Sequence, residues 1–278
     1  MPFPPAIARG LAHMMLDQET LDELEGLTIN DAGHGFDPFG MHLDFVRLSV
    51  GITRWFYQKY FRVISIGNEK VPATGPAVLA CNHSGTVPID GMMLWSDVVR
   101  TTGRVPRAIA DHFVPTLPWV GVLFARGGMV GGSRGNARAL LENGEILMIF
   151  PEGTPGIGKN FSERYQLQKW RVGHAELAIR HGAPVIPVAI IGAEEQMPQL
   201  AKIPGFGAVP YLPIPLTPVP MPVRYRILYG DPVPTDKDYR PEDADDPERV
   251  REASRRVEEA VKGLIEEGLR LRGGRLFT

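Results

Sequence analysis

The chain of 278 residues holds one cysteine, Cys81. A single thiol excludes an intrachain disulfide and any cysteine-rich zinc site, and it suits a reducing compartment. Long apolar runs are also missing: no stretch of about 18 residues is predominantly apolar and free of charge, so no transmembrane helix is expected and membrane contact would be peripheral. Excess charge is absent too. With a net charge of −2, nothing in the overall electrostatics recruits nucleic acid. The opening residues lack a basic start, a clean apolar run and a small-residue cleavage site, so a signal peptide is not expected. The histidines are scattered, and Asp111-His112 is too small a cluster for a metal centre, so neither a metal nor a resident cofactor is expected. What remains is an ordinary folded composition, 44% hydrophobic and 22% charged, which argues against disorder and for one large domain.

Along the chain, residues 1–40 combine a short acidic stretch (17–25) with a glycine-rich segment (30–40), the pattern of a flexible leader before a single domain over 41–278. Residues 41–63 place Leu43, Val46, Ile52, Trp55, Phe56 and Tyr60 at helical spacing among Arg47, Arg54, Lys59 and Arg62. This amphipathic helix either lies in a lipid headgroup region or packs on the domain's own core. Apolar strands are then expected at 77–81, 108–110, 146–150, 185–191 and 223–229. They alternate with helices beginning near Pro88 and spanning 136–142, 169–180 and 246–272. That order implies an α/β fold with a mostly parallel central sheet covered by helices. The segment 205–222 is proline-rich, apolar and uncharged, which excludes a regular helix; it either docks on the body or meets lipid.

Three blocks carry chemistry. Asn82-His83-Ser84-Gly85-Thr86-Val87-Pro88-Ile89-Asp90 sets a histidine and a carboxylate between a strand and a helix. A neutral imidazole held by an acid can take a proton from an attacking hydroxyl near neutral pH. The bland reading makes His83 a satisfied loop histidine and Asp90 a first-turn acid facing the helix dipole. Gly128 to Arg134 puts an arginine after flexible glycines, a way to hold phosphate. Ile146 to Thr154 runs an apolar strand into Phe150-Pro151-Glu152-Gly153-Thr154, at the sheet edge where ligands bind in parallel α/β folds.

In this order and spacing, with Val185-Ile186-Pro187-Val188 as a fourth block, these residues resemble the glycerophospholipid acyltransferase family that contains lysophosphatidic acid acyltransferases. The resemblance covers about residues 61–230. It implies His83 as general base, Asp90 as its orienting partner, Arg134 as a ligand for acceptor phosphate, and Glu152, Gly153 and Thr154 in the acceptor site. It further implies direct transfer from an acyl thioester, acyl-CoA or acyl carrier protein, to a lysolipid or glycerol-based acceptor at the cytoplasmic face of a membrane. Two departures stand out. The family spacing is His-x-x-x-x-Asp, whereas six residues separate His83 from Asp90 here. The usual Arg-Ser after Phe-Pro-Glu-Gly-Thr is replaced by Pro155-Gly156, leaving Lys159 and Arg164 as the nearby cations.

Other readings fare worse. Gly153 to Lys159 has the two glycines and lysine of a phosphate-binding loop, but Asn160 stands where that loop needs Ser or Thr for magnesium. Ser84, Ser133 and Ser162 all lack the Gly-x-Ser-x-Gly frame of a hydrolase nucleophile. Cys81 fits a buried core residue, and His112 is a reserve candidate for the site. A lipid-binding protein without turnover is the alternative from a different class, supported by the altered His-to-Asp spacing.

Overall fold

A computed structural model of the chain describes residues 4–83, 87–111, 114, 119–205 and 211–277. The first half contains α1 (Pro5–Met15), α2 (Gln18–Glu25), α3 (Leu43–Trp55) with a π-helical extension (Phe56–Tyr60), β1 (Ile64–Ile66), β2 (Ala77–Cys81), α4 (Ile89–Thr102), β3 (Arg107–Ala110), α5 (Val120–Arg126), β4 (Val130–Gly131) and α6 (Arg134–Glu142). The second half contains β5 (Ile146–Ile149), α7 (Thr154–Ile157), α8 (Gly173–Arg180), β6 (Val185–Ile191), α9 (Ala193–Gln196), β7 (Gln199–Pro204), β8 (Tyr211–Pro215), β9 (Arg226–Tyr229), α10 (Thr235–Asp238) and α11 (Pro247–Leu271).

The two most apolar runs, Ala77–Cys81 and Val185–Ile191, are buried at every position and lie side by side at the centre of the sheet. Strands buried on both faces need helices on both, which is the parallel α/β solution. The sheet is seven-stranded in the order β1-β9-β6-β2-β5-β3-β4. β6, β2, β5, β3 and β4 run parallel, while β9 is antiparallel to β6 and parallel to β1. Successive side chains point to opposite faces, so Leu79 and Cys81 join the core under α1 to α4, and Val78 and Ala80 join the core under α6, α8 and α11. In α11, Val257, Val261 and Ile265 recur on one face and are buried, the stripe that docks the helix on the sheet, while Val250 packs with Ala175 and Ile179 of α8.

Three sequence expectations change. Residues 1–40 are not a loose leader in the part described. Ala8, Ala12, Leu16, Leu21 and Leu24 are buried against α3, Arg9 reaches Asp44 at 3.0 Å, and Asp37 pairs with the buried Arg107 at 2.6 Å. The acidic composition of α2 disguised this, because only one of its faces is apolar. The helix expected over 169–180 begins at Gly173, since residues 164–172 instead run across the loop after β5. The proline-rich segment contributes β8, which pairs with β7 in a separate two-stranded ribbon, and Phe206 to Pro210 lie outside the described residues. Proline is compatible with this ribbon because neither strand belongs to the main sheet, leaving outward amide positions that no ladder needs.

Candidate active site

The parallel strands β2 and β5 are neighbours, so the loops that follow them meet at the carboxyl edge of the sheet. His83 leaves β2 two residues past its end and is held from three sides. Before it, the buried Asn82 side chain donates to Ile190 O (3.1 Å) and accepts from Ile190 N (2.7 Å), extending the β2–β6 ladder through a side chain. Its own amide donates to Glu152 Oε1 at 2.9 Å. Its ring stacks on Phe150, with centroids 4.1 Å apart at 27°.

Asp90 is the second residue of α4 and is fully buried. Its Oδ2 lies 2.7 Å from His83 Nδ1, and its Oδ1 accepts from Gly91 N at 2.7 Å. The two residues added to the His-to-Asp loop are therefore absorbed before α4 starts, and the carboxylate still reaches the ring. A carboxylate only accepts, so Nδ1 carries the proton of the neutral imidazole and Nε2 is the nitrogen free to take one. Ser84, Gly85 and Thr86 lie outside the described residues, as does the reserve candidate His112.

Glu152 is buried and is not aimed at an open acceptor site. One oxygen accepts from His83 N, and the other accepts from Gln168 N at 2.7 Å, with Lys159 Nζ 3.5 Å away. It pins the base-bearing loop to the segment that crosses above it. Lys159 also donates to Glu194 at 3.0 Å, and burial pushes the Glu194 carboxyl up to about 7 although this lysine and the Tyr165 amide oppose the shift. Lys159 thus supplies a cation beside the turn where Arg-Ser is missing. Arg164 instead lies over the Phe161 ring and donates to Phe161 O.

The Pro155-Gly156 replacement has a steric reason. A Cβ at Gly156 would stand 2.9 Å from the Cβ atoms of both His83 and Glu152, closer than real Cβ atoms approach. Only glycine allows this turn to close on the histidine. Thr154 donates its hydroxyl to Asp111 at 2.6 Å, which ties the β5 loop to the end of β3. Arg134 is displaced from the cluster: its side chain is 85% exposed and pairs with Glu176 at 3.2 Å. The structure therefore brings together His83, Asp90, Glu152, Gly153 and Thr154, and it leaves Arg134 on the rim. The glycines before Arg134 suggested a loop reaching inward, but Ser133 caps α6 and the arginine begins that helix. Sequence reading missed Phe150 as a ring platform, Gln168 and Glu194 as partners, and Arg171, whose guanidinium lies on Gly153. Cys81, beside the site, is buried, and burial pushes its thiol well up, so it has no thiolate to offer.

Fold and site define a class: an α/β protein with a carboxylate-held histidine at the carboxyl edge of its sheet. The sequence pattern described as Acyltransferase matches residues 62–191, which include every element of the cluster. An uncharacterised protein of Mycobacterium tuberculosis is 36% identical over 247 residues, covering 84% of this chain and 69% of that protein. The enzyme of Bos taurus described as a DGAT1/2-independent enzyme synthesizing storage lipids is 29% identical, covering 74% of this chain and 60% of its own length. Among solved structures, the 1-acyl-sn-glycerophosphate acyltransferase PlsC of Thermotoga maritima shares the fold. Its TM-score is 0.55 with 17% identity, covering 95% of this chain and 97% of that one. The chain belongs to the acyltransferase family.

Proposed function

We propose that the protein is a peripheral membrane O-acyltransferase. It moves a long-chain acyl group from acyl-CoA or acyl carrier protein to a hydroxyl of a lysophospholipid or glycerol-based acceptor, with His83 as general base. The observation that carries this reading is the 2.7 Å contact between His83 Nδ1 and the buried Asp90, which leaves Nε2 as the proton acceptor. In the step itself, the acceptor hydroxyl gives its proton to Nε2 while its oxygen attacks the thioester carbonyl carbon. The tetrahedral oxyanion then collapses, the C–S bond breaks, and the imidazolium returns the proton to the leaving thiolate. No acyl-enzyme is needed, in keeping with the shielded Cys81. The storage-lipid synthesis named for the bovine relative favours including neutral glycerides among the acceptors.

Membrane attachment is supported by where the apolar surface lies. Among the described residues no helix is long and apolar enough to cross a bilayer. The inner face of α3 packs on the core, yet Trp55 (55% exposed) and Phe56 at its end face outward. Beside them, Tyr60 donates to Pro220 O at 2.5 Å and Arg62 donates to Pro222 O at 2.7 Å, joining this end of α3 to the proline-rich segment. That segment and the ribbon expose Leu200, Ile203, Ile214, Leu216 and Val219. No acid falls between Asp44 and Glu69 or between Glu195 and Asp231. An aromatic and aliphatic surface whose own two segments carry cations and no acids suits an anionic lipid headgroup layer, which supports reading the cytoplasmic face as the protein's location. The ribbon also touches the site, since Tyr211 donates to Thr154 O at 3.1 Å and Gln199 donates to Gly158 O at 3.0 Å. A lipid acceptor would then reach His83 without leaving the membrane surface. The test is acyl transfer from a labelled long-chain thioester to lysolipids, glycerol phosphate and glycerides. Transfer that requires His83 supports the reading, and binding of lipid without any transfer would replace it with a non-catalytic lipid-binding role.

A further inference from the structure

Gly153 follows Glu152 in the turn after β5 and has a positive φ of +59°. The space where its side chain would be is taken by Arg171: a Cβ there would stand 3.1 Å from the guanidinium carbon and 3.2 Å from each terminal nitrogen. The guanidinium is thus seated on the peptide of the turn that holds the base, one residue from the carboxylate that accepts from His83 N. Its main chain is fixed there as well. Arg171 N donates to Pro151 O at 3.0 Å, its carbonyl meets His174 Nδ1 at 3.0 Å, and the neighbouring Trp170 is buried.

The other cations around the site are occupied. Lys159 lies between Glu194 and Glu152, Arg134 pairs with Glu176, and Arg164 rests on Phe161. Arg171 has no carboxylate partner among the described residues, and the segments 84–86, 112–118 and 206–210 contain no acidic residue. It is also exposed, so a ligand can reach it. No acid occurs between Glu163 and Glu176, a stretch in which Arg164 and Lys169 add positive charge to that of Arg171. A guanidinium offers a planar fork of donors that matches phosphate oxygens two at a time.

We propose that Arg171 is the specificity-determining residue of the site and receives a phosphate ester of one of the two substrates. This inference rests on the transferase reading above, and it moves to Arg171 the role that the resemblance gave to Arg134. The phosphate comes either from the acceptor's headgroup or from the nucleotide-linked donor, and the kinetics separate the two.

The experiment compares wild type, Arg171→Gln, Arg171→Lys and the surface control Arg138→Gln. The donor arm sets acyl-CoA against the matching acyl-N-acetylcysteamine thioester, which has no phosphate. The acceptor arm sets lysophosphatidate against monoacylglycerol. Arg171→Gln should raise KM for the phosphate-bearing member of one arm by about tenfold or more, with a smaller change in kcat, because a charge-assisted contact made in ground and transition states alike is lost. The phosphate-free member should be unaffected, lysine should restore part of the loss, and Arg138→Gln should match wild type. Equal losses with and without phosphate would make Arg171 a structural brace and overturn the proposal, as would unchanged KM in both arms. Calorimetry with CoA and with glycerol 3-phosphate provides a readout independent of turnover. Should wild type bind one of them through Arg171 yet transfer nothing, the phosphate site stands and the transferase reading falls. Equal binding by wild type and Arg171→Gln, or none by either, overturns the site.

Discussion

The histidine at the centre of the site is held by four contacts of different kinds: a ring on a ring, an amide on a carboxylate, a nitrogen on a buried acid, and a glycine closed against its Cβ. Fixing an imidazole to this degree matters because proton transfer depends on its direction as well as its basicity. Gly156→Ala should therefore cost about 1–3 kcal/mol of stability, from overpacking against backbone-fixed neighbours, and should lower kcat more than KM. Urea unfolding together with steady-state kinetics would check this, and a wild-type kcat would contradict it. A second residue sets an acid limit. His174 is buried beside Trp170, and burial lowers its pKa from 6.5 to about 4, outweighing the opposing hydrogen bond with Arg171 O. The unfolded chain thus binds the proton more readily, so stability is present above about pH 6.5 and is lost as pH falls toward 4. Glu194 works in the opposite sense: its raised folded value of about 7 means that its contribution declines as pH rises from 4.5 through 7. His174→Gln should flatten the acid side by on the order of 2 kcal/mol between pH 7 and pH 4, seen as urea midpoints that shift less on acidification than in wild type. At this scale the motif residues were legible because strand-loop-helix punctuation surrounds them. Arg171 and Glu194 were not, since both reach the turn from segments remote in sequence, and no local pattern encodes such a meeting.

Among the elements, the first two helices and the ribbon differ most from the sequence reading, for opposite reasons. Helix α1 is mostly apolar but starts among prolines and contains a glycine, and α2 is short and acidic; both are ordered by partners remote in sequence, the core under Ala8, Ala12, Leu21 and Leu24 and the ion pairs of Arg9 with Asp44 and Asp17 with Arg54. Further along, Asp37 meets the fully buried Arg107, which Glu145 also contacts at 2.9 Å, so removing Asp37 takes one of two carboxylates from a buried guanidinium and strips the Phe39 and Met41 amides of their acceptor. Asp37→Ala should cost about 3–5 kcal/mol, measured by denaturant unfolding, and a loss below about 1 kcal/mol would mean that the pair is solvated in solution. The ribbon was unreadable because proline usually argues against strands, and here the strand sits outside the main sheet. The strands β2, β3, β5, β6 and β9 of the main sheet were legible to within a few residues because burial leaves apolar runs, whereas the short edge strands β1 and β4 carry no such run and were not. If the end of α3 and the proline-rich segment form one lipid-facing surface, Trp55→Ser with Phe56→Ser should reduce sedimentation with anionic vesicles, and Leu216→Ser with Val219→Ser should reduce it too. Unchanged sedimentation in both would assign these side chains to some other contact.

For the molecule as a whole, the parallel centre of the sheet and its carboxyl edge determine where chemistry can occur, and the N-terminal helices close one face of that sheet. The boundary expected at residue 41 is crossed by buried contacts, so a chain starting at Met41 should expose the apolar side of α3 and lose cooperative unfolding. A sharp thermal transition from that shortened chain would restore the view of a dispensable leader. The family and the α/β class could be read from four blocks in order, whereas the closing of the lengthened His-to-Asp loop could not, because six intervening residues do not state their path. The central claim is that the closed pair performs base catalysis. Its most direct measurement is transfer of a labelled acyl group from a long-chain thioester to the preferred acceptor by wild type, His83→Ala and Asp90→Asn, each with folding verified by circular dichroism. His83→Ala should fall by at least about a hundredfold and Asp90→Asn should also be impaired, because each removes part of one proton-transfer unit. Wild-type turnover by His83→Ala would contradict the account.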